Sequence, residues 1–193
     1  RAMDIPAYRT SDGAFIAGNR NAPITIVIFS DYSCPHCRQY NETMHMIIDE
    51  FVRTGQARIE RRLIANFNPD YAKLAECVAT ISGDDRLFWI ANDLLFEYSR
   101  GEGLPTGEAT GRLANELGLQ RASLAECTLT ADQYLTDVAV ARLANYTGTP
   151  AVRILLGTFD ETDGQTPQPI SSSYLSGGVD IDILRETIEN ANN

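Results

Sequence analysis

Residues Ile24-Thr25-Ile26-Val27-Ile28-Phe29 form a compact, mostly β-branched run between Pro23 and the polar pair Ser30-Asp31. Such a run reads as a buried strand. Cys34-Pro35-His36-Cys37 follows almost at once. Pro35 suits the first turn of a helix, where its missing N–H costs nothing. Tyr40, Met44, Ile47, Ile48 and Phe51 then recur at helical spacing until Gly55. Ala57 to Ile64 reads as the next strand, which completes a strand, helix, strand unit of the parallel-sheet type. Two cysteines therefore stand where a buried strand turns into a helix.

A cysteine pair at this spacing can ligate zinc, form an inert disulfide or act as a redox dithiol. A structural zinc site needs four ligands. The chain has no second such pair, and its other histidine, His45, lies on the same predicted helix with no obvious partner. An inert disulfide at this spacing is strained and less common. Position favours the redox reading. At a helix N-terminus the unpaired N–H groups and the positive end of the macrodipole stabilise an anion, so the thiolate of Cys34 is favoured over its thiol. A protonated His36 adds a nearby positive charge. Cys37, one turn further in, should be more buried and act as the resolving thiol. Cys34 would exchange with a substrate through a mixed disulfide, and Cys37 would close the internal disulfide again.

The 193 residues allow one domain, or one with a substantial insertion, and are enough to build a core without disulfides or metal. From Asn68-Pro69 to Tyr146 the pattern is helix after helix. One helix holds Leu74 and Cys77, a second carries Leu87 to Phe96, and a third runs near Gly111 to Leu117 after the loop Gly101 to Gly107. Thr130 and Gln133 have capping-box spacing before a helix Tyr134 to Tyr146. Strands are expected at Ala151 to Leu156 and around Ile170 to Leu175, joined by Phe159 to Pro167, and a last helix carries Ile181, Leu184 and Ile188 on one face. Sixteen basic against twenty-six acidic residues give a net charge of −10, which argues against nucleic acid and anionic membrane surfaces as partners. Lys73 is the only lysine. No apolar stretch approaches the length of a membrane span, and the start carries no signal-peptide apolar region, an absence that says little about compartment.

Phe29-Ser30-Asp31-Tyr32-Ser33-Cys34-Pro35-His36-Cys37, Phe88-Trp89 and Gly148-Thr149-Pro150 together resemble the DsbA-like thiol:disulfide oxidoreductases of the thioredoxin superfamily. The resemblance runs from about Ala22 to the last helix. It implies an α/β thioredoxin fold with an inserted helical subdomain: a core formed by 1–67 and 147–193, and an insertion of 68–146. It implies a catalytic motif of Cys34, Pro35, His36 and Cys37. It also implies a cis Thr149-Pro150 bond facing Cys34, with the Thr149 backbone free to pair with an extended substrate; a simple turn proline is the plain alternative. No cofactor and no metal are expected. The implied partners are folding secreted proteins and a membrane quinone-linked thiol oxidase for reoxidation. The implied setting is the periplasm or another extracytoplasmic space, and the implied state is a monomer. A disulfide isomerase or reductase uses the same dithiol. A non-catalytic peptide-binding module or chaperone would keep the fold without the chemistry.

One departure concerns the position six residues before the first cysteine, where thioredoxins and many DsbA-like proteins carry a buried acid and this chain has Ile28. Isoleucine neither opposes a nearby thiolate nor accepts the proton of Cys37. Cys77 and Cys127 read either as two small buried apolar residues or as a structural disulfide, which the resemblance allows in some members. Pairing across about fifty residues would contribute roughly 4 kcal/mol through chain entropy. The sequons at Asn41 and Asn145 fall in predicted helices, and the acidic run Asp160 to Gly164 lacks EF-hand spacing. Phe88, Trp89, Phe96 and Tyr98 read as core rather than as a cofactor site, with a place for some of them along a substrate groove beside the active site as the alternative.

Overall fold

The computed structural model describes residues 4–157, 168–169, 175–176 and 178–192. The strands are β1 (Ala7–Arg9), β2 (Phe15–Ala17), β3 (Ile24–Ser30), β4 (Arg58–Leu63), β5 (Ala151–Leu156), β6 (Gln168–Pro169) and β7 (Leu175–Ser176). Between β3 and β4 lie α1 (Pro35–Ile47) and a π-helical turn, Ile48–Val52. Between β4 and β5 lie α2 (Asp70–Ser82), α3 (Arg86–Tyr98), α4 (Thr106–Leu117), α5 (Arg121–Cys127) and α6 (Gln133–Leu143), and α7 (Ile181–Asn192) closes the chain.

The apolar run becomes β3, buried along its whole length. Ile24, Ile26 and Ile28 face the main core with Phe15, Ile59, Leu63, Val152 and Ile154. Val27 and Phe29 face a smaller cluster with Ile64, Ala141 and Ala151 on the other side. A strand covered on both faces has no solvent side, which is why the run does not alternate. The sheet order is β1-β2-β4-β3-β5-β6, with β7 also paired to β5. β4 is parallel to β3, with Ser30 opposite Leu63, and β5 is antiparallel to it, with Phe29 opposite Ala151. The ends of β3 and β4 and the start of β5 therefore meet at one edge of the sheet.

The helices α2 to α6 pack on this frame. Phe88 of α3 stacks on Phe15 with ring centroids 3.7 Å apart, and Leu74, Ala75, Cys77 and Val78 of α2 are fully buried. A buried polar hub ties α6 to the sheet: Arg62 pairs with Asp12, Glu60 and Asp137, and the Leu63 N–H donates to Asp137.

Several local expectations change. The capping box does not form, because the Gln133 amide donates into the hub, to the Asp12 carbonyl and to Asp137, while Thr130 Oγ1 donates to the Cys127 carbonyl. Satisfying buried Asp137 outweighs a local cap. The third helix of the insertion starts at Thr106, with Gly107 and Gly111 inside it, and β1 and α5 are elements that the sequence pattern did not show. Asn145 lies just beyond α6 with a left-handed φ of 55°. The expected connection Phe159 to Pro167, its acidic run and the stretch Ile170 to Tyr174 lie outside the described residues.

Candidate active site

Cys34 occupies the N-cap of α1 in extended backbone (φ −87°, ψ 117°), with Pro35 as the first helical residue. Its N–H donates to the Asp31 carbonyl at 3.1 Å, which folds the Asp31-Tyr32-Ser33 turn between strand and helix. No side chain caps the helix, so the first-turn N–H groups remain directed at the Cys34 end. Cys34 is partly exposed and Cys37 is buried, and both are free thiols. Burial pushes Cys37 up to about 11, against the opposing pull of Ser30, the Asp31 N–H and Thr149. The Asp31 N–H donates to Cys37 Sγ at 3.4 Å.

The sheet edge brings the third segment into place. Thr149-Pro150 is cis and directly precedes β5. Cys34 Sγ donates to the Thr149 carbonyl at 3.4 Å. Thr149, expected to be free for an extended substrate, thus holds the sulfur through its carbonyl in this state. Cys34, Cys37, Thr149 and Pro150 come together. His36 stays exposed on the first turn and lines an open groove of about 480 Å³ with Tyr40, Thr43, Val179 and Asp180. Gly178, at φ +87°, shapes this groove, since a Cβ there would lie 2.7 Å from the Tyr40 ring. The Tyr40 hydroxyl donates to the Val179 carbonyl at 2.9 Å.

Asp31, read from the sequence as the polar end of the strand and as part of the motif around Cys34, is itself a site residue. It is 2% exposed. Its carboxylate accepts the Ser33 N–H at 2.8 Å, the Ser33 hydroxyl at 2.6 Å and the Asn66 N–H at 2.9 Å. The Asp-x-Ser spacing of an Asx turn was the available signal; the Asn66 contact, from beyond β4, had none. Ile28 is fully buried, and its cross-strand neighbour is Arg61. Tyr32 is buried against Phe96, and burial pushes its hydroxyl up to about 12, with Arg61 pulling the other way. Cys77 and Cys127 are bonded to each other and join α2 to the end of α5. His45 Nε2 lies 2.9 Å from the Asp93 carboxylate on α3. Among the described residues no cluster of His, Cys, Asp and Glu could hold a metal, and no helix is long and apolar enough to cross a membrane.

An accessible thiol at a helix N-terminus, one turn before a buried thiol, can exchange disulfides. The fold and this pair define a protein of thioredoxin fold that carries a dithiol at a helix start. The chain belongs to the thioredoxin family, whose model matches residues 10–164. Its overall shape is similar to that of BdbD from Bacillus subtilis, with a TM-score of 0.71 at 24% identity over 91% of each chain. It is also similar to alpha-DsbA1 of Wolbachia pipientis, with a TM-score of 0.76 at 15% identity over 95% of this chain and 92% of that one. A curated relative, Na(+)/H(+) antiporter NhaA 1 of Salinispora arenicola, is 32% identical over 151 residues. Those residues are 77% of this chain, which spans only 22% of that protein's length.

Proposed function

We propose that this chain is a dithiol oxidase that donates a Cys34-Cys37 disulfide to folding extracytoplasmic proteins. The observation that carries the proposal is the contrast between the two sulfurs. Cys34 is reachable and sits on the helix N-terminus; Cys37 is buried and holds its proton. In the oxidised protein a substrate thiolate attacks Cys34 Sγ, the Cys34-Cys37 bond breaks, and Cys37 leaves and takes up a proton. A second substrate thiolate then attacks its partner sulfur in the mixed disulfide and expels Cys34 as a thiolate. The substrate gains a disulfide and loses two electrons and two protons overall; the protein gains both electrons and, on Cys37, one proton, while the other proton passes to solvent and Cys34 is left as the thiolate. Expelling a helix-stabilised thiolate is the easy direction, because leaving-group rates rise as the thiol becomes more acidic. The reverse attack requires Cys37 as a thiolate, which burial disfavours.

Pro35 and His36 supply the helix start and an exposed imidazole beside the sulfur, while Thr149 and Pro150 form the wall against which an extended peptide would lie. Reoxidation would fall to a membrane thiol oxidase. The test is the equilibrium of the Cys34-Cys37 pair with glutathione. An oxidase gives a potential well above the about −270 mV of thioredoxin, and Cys34→Ala abolishes disulfide transfer to a reduced peptide. A thioredoxin-like value reverses the assignment to a reductase, and an effect on client folding that survives in Cys34→Ala while disulfide transfer is lost would instead support a peptide-binding role.

A further inference from the structure

Arg61 has the fold's most conspicuous buried charge. It is fully buried in the middle of β4, and its Nε and Nη2 have no hydrogen-bond partner. Nη1 reaches the Met44 sulfur at 3.9 Å, and the guanidinium also acts on the Tyr32 hydroxyl by hydrogen bonding and charge. The guanidinium lies 5.6 Å from the Tyr32 ring centre and 5.3 Å from that of Phe96. No carboxylate of the described residues pairs with it, in contrast to Arg62 next to it, which has three. Burying a charge with so little compensation is expensive, and a stable fold retains it only if other interactions offset the penalty.

Arg61 packs under the dithiol segment. Its cross-strand neighbour is Ile28 on the strand that leads into the motif. Tyr32 lies two residues before Cys34, and Met44 lies on the helix that Cys34 caps. The charge of Arg61 already pulls the Tyr32 hydroxyl down against burial. The other charged groups around this core are Asp31 in the turn, His45 on α1 and Asp93 on α3. Asp31 is engaged by Ser33 and Asn66. His45 and Asp93 bond each other at the half-exposed surface, and Asp93 is linked to Tyr32 through Asn92, which donates to Asp93 at 3.5 Å and also to Asn41, itself a donor to Asp93. None of them neutralises the guanidinium by contact.

We infer that Arg61 is a positioning residue of the dithiol whose buried, unpaired positive charge favours the reduced, thiolate form of Cys34 and so strengthens the protein as an oxidant. The inference rests on the proposed dithiol chemistry and adds to it a source of the driving force. Met44 stands ten residues after Cys34, about 15 Å along the helix axis. A unit charge at that range, in an effective dielectric of about 20, changes an ionisation equilibrium by about sixfold.

The test replaces the charge while keeping the volume: Arg61→Met, Arg61→Gln and Arg61→Lys, each equilibrated with reduced and oxidised glutathione at pH 7. In that exchange two glutathione thiols become one disulfide as Cys34-Cys37 becomes a dithiol. Arg61→Met and Arg61→Gln should weaken the oxidising equilibrium constant by about sixfold, and the pH midpoint of Cys34 alkylation should rise with it. Arg61→Lys should stay close to the parent. Thermal unfolding should show Arg61→Met no less stable than the parent, which a purely structural role would not allow. If Arg61→Met fails to fold, the Gln and Lys pair carries the comparison. An unchanged equilibrium constant in a folded Arg61→Met or Arg61→Gln overturns the inference, as does a change in Arg61→Lys as large as theirs. Failure of the dithiol reading itself would show separately, as a parent protein that forms no Cys34-Cys37 disulfide.

Discussion

The disulfide between Cys77 and Cys127 should contribute more to stability than any other single covalent feature of the chain, and its removal gives a worked test. The two residues are separated by 50 positions. Opening a loop of that size returns about 14 cal/mol/K of entropy to the unfolded chain, or about 4 kcal/mol at 25 °C. For 193 residues the unfolding entropy near the midpoint is about 0.4 kcal/mol/K, so the midpoint should fall by about 10 °C. The perturbation is Cys77→Ala with Cys127→Ala, made in a Cys34→Ser, Cys37→Ser background so that no thiol can exchange. Urea unfolding should show a loss of about 4 kcal/mol with a steeper denaturant slope, since the released unfolded chain expands and exposes more surface. With the active pair restored, its equilibrium with glutathione should stay at the parent value, because the clamp joins α2 to α5 while the two thiols are held by Thr149 and Asp31. A loss below about 1 kcal/mol with an unchanged slope would refute the argument from the unfolded state.

Asp31→Ala leaves the Ser33 and Asn66 N–H groups without their acceptor and should cost about 2–4 kcal/mol by urea unfolding; a neutral result would mean water replaces the carboxylate. Cys37, raised in the fold from about 9 to about 11, ionises first in the unfolded chain, so the reduced protein should lose stability as pH rises through that window. The loss is about 3 kcal/mol at most, and stability curves for Cys37→Ala should lack that slope. Gly178→Ala forces a side chain onto the Tyr40 ring at a left-handed position and should lower stability by about 1–3 kcal/mol by urea unfolding; an unchanged stability would mean that the ring moves aside without cost.

What could be read from the sequence followed the range of the interactions involved. The run Ile24 to Phe29 and the helix after Cys34 are local patterns, and both were legible. The burial contrast between Cys34 and Cys37 followed from one turn of helix. Arg61 and Asp31 were not legible, because what makes them notable lies across the fold. Strand alternation puts Arg61 on the inward face of β4 with Ile59 and Leu63, but only the packing of Tyr32, Phe96 and Met44 shows that its guanidinium stays in the core without a carboxylate. Asp31 reads as a strand terminator until Asn66, from the end of another strand, donates to it. The failed capping box has the same origin: Thr130 and Gln133 satisfy a local rule, but Asp137, buried beneath α6, takes the glutamine.

The edge where β3 and β4 end and β5 begins assembles the Cys34 turn, Asn66 and Thr149 from segments far apart in the chain. Unfolding scatters them, and the cysteines then exchange like any pair three positions apart. A thermodynamic cycle follows: whatever preference this edge gives the dithiol over the disulfide must reappear, joule for joule, as a difference in fold stability between the two redox forms. If the pair is strongly oxidising, the molecule that carries the disulfide is the looser one. Handing the bond to a client would tighten the donor.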